Sequence, residues 1–446
     1  MTRQTPDALK TTAALPRVTH ARGSYLWDAA GKQYIDGSGG PAVYCLGHAH
    51  PEVNAAVMAQ MSDIAHAYRY NFTTSALDEL TDIIRDRCGG TLSEMVFVTS
   101  GSEAVESCLK IALQYHSATG QKSRRRFISR QRSWHGNTLG ALGLSGFAER
   151  TLAYEGAFIP SIKLSPANAY RPLPGATSET AGVAAAAELE AAILAHGPET
   201  IAAFVFEPVV GAAGGCVPAP PGYARLVRDI CTRHGVLMIA DEVMCGSGRT
   251  GNWRALEHDG VEPDIMSVAK GLAAGYVPLG AAICTTKVWE AIREKDGAFG
   301  TGHTFTGHTA ACAAGVAVQR IIARDNLIAR VQGNETRLKS WLSDAIGSVE
   351  AIGDIRGRGH FIGLELVADR ATKQPFDPDR KLFLKIRQQT MENGLICYPV
   401  GGNVDGRAGD IVILAPPYNS TDDELTEIVD KTARSIRQVL QAEGLA

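Results

Sequence analysis

Five stretches of this 446-residue chain carry side chains able to do polar chemistry. In Asp264-Ile265-Met266-Ser267-Val268-Ala269-Lys270-Gly271, an apolar run ends in a lysine flanked by small residues. An amine at a strand tip can condense with an aldehyde, and partial loss of water would lower its pKa and sharpen it as a nucleophile and proton carrier. Standing alone, a lysine at a strand end is more simply read as a surface lysine. Met238-Ile239-Ala240-Asp241-Glu242-Val243 ends another apolar run in two acids. Buried carboxylates require a cation or strong donors, so at least one of the pair should face such a group. A pyridinium nitrogen would serve, and a second-layer structural acid is the alternative.

Val98-Thr99-Ser100-Gly101-Ser102-Glu103-Ala104 joins a strand end to a helix start. Open backbone amides and the positive helix end would meet at Gly101 and Ser102, where a phosphate dianion fits. Ser100 or Ser102 as a simple N-cap explains the same residues. Ser133-Trp134-His135-Gly136 offers an aromatic face for stacking on a flat ring, or a core tryptophan. Thr301-Gly302-His303-Thr304-Phe305-Thr306-Gly307-His308 offers hydroxyls and amides to an anion, or forms a capped loop.

These stretches need a scaffold that brings strand ends together. Short apolar runs at 95–99, 126–129, 202–206, 235–240, 264–269 and 280–285 alternate with helical patterns such as 182–196 and 223–234. Near-continuous apolar strands separated by helices predict an α/β core with a mostly parallel sheet covered on both faces. In such sheets ligands bind at the C-terminal strand ends. The expected division is an N-terminal segment, 1–54, that joins a small domain; a large domain over 55–310; and a smaller α+β domain over 311–446. The last should hold long helices at 309–323 and 326–346, a strand at 361–367, a helix near 380–393, two short strands and a final amphipathic helix.

Two motifs are set aside. Gly246-Ser247-Gly248-Arg249-Thr250-Gly251 matches a dinucleotide fingerprint, but no amphipathic helix follows and the preceding acids would repel a pyrophosphate. Ile239-Ala240-Asp241-Glu242 resembles a Walker B strand, yet no GxxxxGK[ST] accompanies it.

Hydrophobic residues make up 45% and charged residues 20%, with a formal charge of −3. That balance gives no basic coat for nucleic acid and no pull towards anionic membranes. No apolar run reaches the ~20 residues needed to span a bilayer. The polar first residues, 1–16, lack a signal-peptide core. Nine cysteines form no CxxC pair and no His/Cys cluster, so buried thiols, no metal site and a cytoplasmic location are expected.

Together these segments resemble the class III (ω-)aminotransferases of the fold type I pyridoxal-phosphate enzymes, over about Tyr25 to Pro417. Tyr25-Leu26-Trp27-Asp28 with Tyr34-Ile35-Asp36-Gly37 is similar to the family's opening hairpin, and Leu46-Gly47-His48-Ala49-His50-Pro51 to its entry into the large domain. The most specific piece runs from Asp241-Glu242-Val243 through Gly248-Arg249-Thr250-Gly251 to Ala269-Lys270-Gly271. The resemblance implies pyridoxal 5'-phosphate held by Lys270, with Asp241 on the pyridine nitrogen and Lys270 and Asp241 as the catalytic pair. It implies Trp134 on one ring face and Val243 on the other, with His135 in the same site. Gly101 and Ser102 would grip the phosphate, joined by Thr304 from a partner subunit, and Glu207 would lie near the phenolic oxygen. A homodimer, or a tetramer built from it, is implied as the active unit. The implied reaction passes an amino group from a small amine or ω-amino acid to a keto acid by ping-pong kinetics. An aminomutase, racemase or decarboxylase on the same fold is the alternative.

The chain departs from the family at substrate recognition. Ornithine- and GABA-type members carry a second glutamate five residues after the first, where this chain has Ala212. The arginine often found near the late strand is replaced by Ile396-Cys397-Tyr398-Pro399, followed by an inserted Gly401-Gly402-Asn403-Val404-Asp405-Gly406-Arg407. Arg407 and Arg358 are the candidates for the acceptor carboxylate, with a pyruvate-like acceptor favoured over 2-oxoglutarate. Tyr44, Tyr70 and Phe72 could line the amine pocket or belong to an ordinary aromatic core.

Overall fold

The computed structural model describes residues 15–445; residues 1–14, which hold most of the polar 1–16 stretch and the start of the N-terminal segment, lie outside it, as does residue 446. A seven-stranded sheet dominates. Its order is Leu92–Val98, Gly280–Thr285, Ile265–Val268, Leu237–Asp241, Ile201–Phe206, Arg126–Arg130, Ser161–Leu164. All pairings are parallel except those of Gly280–Thr285, which runs antiparallel to both neighbours. A parallel return needs a crossover, usually through a helix, and the link between Val268 and Gly280 holds only a 3-10 turn. The architecture is the mostly parallel α/β arrangement expected from the sequence.

Successive side chains of a strand face opposite ways, and here both faces are apolar. Phe204, Phe206, Met238, Ala240, Met266 and Val268 enter one core with the helices Ala181–His196, Tyr223–His234 and Thr309–Arg324. Ala203, Val205, Leu237, Ile239 and Ile265 enter the other with Gly101–Ala118 and Thr286–Asp296. Continuous apolar strands are therefore required, which is why they were legible.

A separate core forms around the strands Ile352–Arg358, Phe361–Leu366, Tyr398–Gly401 and Asp410–Leu414 and the helices Leu327–Ile346, Leu382–Glu392 and Asp422–Ala442. The last helix starts with a reciprocal cap, Thr421 Oγ1 accepting from the Glu424 amide and Glu424 Oε2 from the Thr421 amide. The N-terminal strands Val18–Arg22, Tyr25–Asp28 and Gln33–Asp36 form a small sheet completed by Leu395–Ile396. Among the described residues, no helix is long and apolar enough to cross a membrane. All nine cysteines are free, eight of them buried.

Candidate active site

The parallel strands deliver their C-terminal ends to one edge of the sheet, and a cavity of about 360 Å³ opens there. Gly101, Ser102, Trp134, His135, Glu207, Asp241, Val243 and Lys270 all line it. Residues from five separate stretches of sequence thus meet at one place.

Asp241 lies at the tip of Leu237–Asp241, in register with Ser267 of the neighbouring strand. Its Oδ1 accepts from Ser267 Oγ at 3.1 Å and from the Val243 amide at 3.1 Å. His135 Nδ1 lies 2.8 Å from Oδ2, and the other ring nitrogen of this buried histidine has no protein partner. The His135 amide donates to Ser145 Oγ at 2.9 Å, which fixes the ring's root. Neither Ser267 nor Ser145 was singled out beforehand. A polar residue inside the otherwise apolar Ile265–Val268 was the available signal for Ser267.

The second acid of the pair turns away. Glu242 accepts from the amides of Ala255 and Leu256, capping the turn Ala255–Asp259, and burial pushes its carboxyl up to about 7. Asp241 therefore faces the cavity, while Glu242 is structural.

Lys270 follows Val268 with φ +48°, a left-handed conformation that costs a side-chain-bearing residue roughly 1–2 kcal/mol. Its side chain is half-buried and lines the cavity. Loss of hydration lowers its pKa to about 8, against the pull of Asp241 and Glu207 and with a smaller push from Arg249. The amine is thus a competent base near neutral pH.

Ser100 Oγ caps the helix Gly101–Ala118 by accepting from the Glu103 amide at 3.1 Å, leaving the first-turn amides of Gly101 and Ser102 at the positive helix end. The cap and the anion reading are therefore compatible. Gly101 is required by packing, since a Cβ there would stand 2.8 Å from Val243 Cγ1. Ser102 Oγ accepts from the Asn137 amide, and Gly136 is required beside it, since it adopts φ +139° and a Cβ there would stand 2.8 Å from Ser102 Oγ. Glu207 clamps the Trp134 loop: Oε1 accepts the Trp134 amide at 2.9 Å and Oε2 the Gly211 amide at 2.8 Å. Burial raises its carboxyl.

The remaining candidates lie elsewhere in this chain. Thr304 is exposed, on the 301–308 loop outside the cavity wall. Tyr70 is 83% exposed and borders a second cavity with Thr301, Gly302 and His303. Tyr44 abuts the wall residue Gly275, whose Cβ would stand 2.9 Å from its ring. Arg407 points to solvent, 3.5 Å from Asp379, and Arg358 ends the strand Ile352–Arg358; neither lines the cavity. The decoy at Gly246–Gly251 is a run of turns followed by the short 3-10 turn Ala255–Asp259 and no α-helix.

A basic residue in a parallel-sheet edge cavity, opposite a paired carboxylate and a helix N-terminus, defines a fold type I pyridoxal-phosphate enzyme. The family described as aminotransferase class III matches residues 8–436. An uncharacterised aminotransferase of Schizosaccharomyces pombe is 39% identical over 96% of this chain and 94% of its own length. An uncharacterised aminotransferase of Bacillus subtilis is 38% identical, over 96% of each chain. An amine transaminase from an uncultivated Pseudomonas species, solved with pyridoxal phosphate bound, superposes with a TM-score of 0.90 at 29% identity, covering 98% of this chain and 99% of that one. The chain belongs to the class III aminotransferases, and its cofactor is pyridoxal phosphate.

Proposed function

We propose that this aminotransferase moves an amino group from a small amine or ω-amino acid to a pyruvate-like keto acid, with Lys270 and Asp241 as its catalytic residues. One observation carries the assignment: Lys270, Asp241 and the Gly101–Ser102 helix start converge on a single cavity. These residues fit pyridoxal phosphate. The cavity supplies an amine for the aldehyde, a carboxylate for the ring nitrogen, amides at a positive helix end for the phosphate, and Trp134 and Val243 for the two ring faces.

When bound, the cofactor supplies the aldehyde that receives the amine and a ring able to absorb the electron pair left at Cα. The protein does the rest. Lys270 is lowered to about 8, so once free it takes up the Cα proton and returns it at the cofactor's carbon. Asp241 would take the ring nitrogen, its carboxylate kept in place by Ser267, the Val243 amide and His135. Glu207 holds the Trp134 backbone, and with it the stacking face. One lysine serves both directions, so each half-reaction must finish before the next begins. Ping-pong kinetics follow.

Incubation of the cofactor-loaded protein with one amine and no acceptor should release one equivalent of carbonyl product per subunit and stop. A panel of amines against pyruvate and 2-oxoglutarate then identifies donor and acceptor. Continued turnover without an acceptor would point to an aminomutase, racemase or decarboxylase.

A further inference from the structure

Among the described residues, Lys270 is the one lysine or arginine of the cavity wall, and that amine is committed to carbonyl chemistry. A keto acid also brings a carboxylate, so a second cation must reach it from the rim. Resting on the aminotransfer reading, we propose that Arg150 binds the carboxylate of the keto acid at the mouth of the Lys270 cavity, positioned by Trp134.

The guanidinium of Arg150 lies 4.8 Å from the ring centre of Trp134, itself a wall residue, and 5.2 Å from that of Phe147. The two rings meet edge to face, at 88° and 6.1 Å. A guanidinium rests on aromatic rings through its flat faces and donates hydrogen bonds through its edges. Contact with the two rings thus fixes the group while leaving donors free for a bidentate carboxylate. Among the described residues, no carboxylate lies within ion-pair distance of Arg150. The side chain is exposed, so a substrate can reach it.

The neighbouring arginine is excluded by its surroundings. Arg132 is buried, with φ +56°, and its Nη1 donates to the Gly402 carbonyl at 2.8 Å. Gly406 packs onto the same guanidinium, where a Cβ would stand 2.9 Å from both Nη atoms. Gly402 in turn lies against Glu149 Oε1, one residue before Arg150. The inserted 401–407 loop, whose own Arg407 points to solvent, therefore braces the turn that presents Arg150. That gives the insertion a purpose: it supports the recognising arginine and does not supply it.

The test compares acceptors with and without a carboxylate. For Arg150→Ala, kcat/KM with pyruvate should fall on the order of 10- to 100-fold, chiefly through KM, while that with butanal stays essentially unchanged. Arg150→Lys should recover part of the loss. Equal losses with both acceptors would reduce Arg150 to a brace for Trp134, and no loss with pyruvate would remove it from recognition altogether; either overturns the proposal. Propionate, which has no carbonyl to react, gives a second reading through its binding to cofactor-loaded protein followed by calorimetry. Binding that weakens in Arg150→Ala supports the role, and equal affinity overturns it. That reading holds even if no amine in the panel is transaminated, an outcome that would sink the aminotransfer reading itself.

Discussion

At the floor of the Lys270 cavity, the Asp241 carboxylate meets Ser267, the Val243 amide and His135, all on or beside one rigid sheet. The segments at 64–72 and 298–307 contrast with it: Ile64, Tyr68, Tyr70, Phe72 and Phe305 each leave about half or more of their surface to solvent. The floor is organised by short contacts within a single chain. The outer segments carry aromatic surface that one chain leaves open, of the kind that marks an interaction site. Preorganisation is thus concentrated where the proposed proton transfer would place charge, and incompleteness is concentrated where the family resemblance implies a second subunit. Breaking the floor should abolish chemistry without touching assembly, and breaking the outer segments should do the reverse.

The largest effect is expected at the floor. Lys270→Ala should lower turnover by three orders of magnitude or more, because on the proposed reading it removes both the covalent anchor and the proton carrier. Borohydride treatment should then no longer fix the cofactor to the protein, as read by mass spectrometry. Oligomeric state should not change. Retention of covalent trapping in the variant would place the anchor on another lysine.

A second effect isolates the electrostatics of the same lysine. Its folded pKa, about 8, lies below its unfolded value of about 10.5. Below pH 8 the unfolded chain gains the full benefit of charging this amine and the folded chain does not, so the wild type carries a stability penalty. Between pH 8 and 10.5 the unfolded state binds more protons than the folded one, and the penalty disappears as pH rises. Cofactor-free Lys270→Met should therefore be more stable than cofactor-free wild type near pH 7, on the order of 2 kcal/mol after allowance for water in the cavity. The gap should close by about pH 10.5, as followed by urea unfolding. A gap independent of pH would mean that the lysine is as well hydrated in the cavity as in the open chain.

The same contrast governs how much could be read from the sequence. Lys270 and Asp241 were legible because a polar residue ending an apolar strand has few places to go, and parallel strands gather their ends at one edge. Ser145 was not, since its Oγ acts on the His135 amide across a turn that spacing does not reveal. The two acids of the Asp241-Glu242 pair could be separated only by seeing which carboxylate met the amides of Ala255 and Leu256. The edge strand Ser161–Leu164 escaped notice because it is short and carries Ser161 and Lys163 among its apolar residues. Arg407 drew attention as a cation on an unusual loop. Its solvent-facing pose, and the burial of Arg132 beneath that loop, are products of tertiary packing.

The smallest effect belongs to the outer segments. Thr304 stands exposed on its loop, and the reading that it reaches a partner's phosphate site makes a specific demand. Thr304→Ala should weaken cofactor retention by about 10-fold, the loss of one hydrogen bond to a charged group, while Lys270 remains competent. Equilibrium dialysis of pyridoxal phosphate measures this directly. If the contact crosses an interface, the wild-type advantage should fade as protein is diluted below the dimer dissociation constant, because a subunit alone has no Thr304 at its own helix start. Pairing Phe305→Asp with Tyr70→Asp should move that loss to higher protein concentration, as seen by sedimentation. A Thr304→Ala deficit that stays constant across all dilutions would assign the threonine to its own subunit, and the division between a self-sufficient floor and a shared rim would fail.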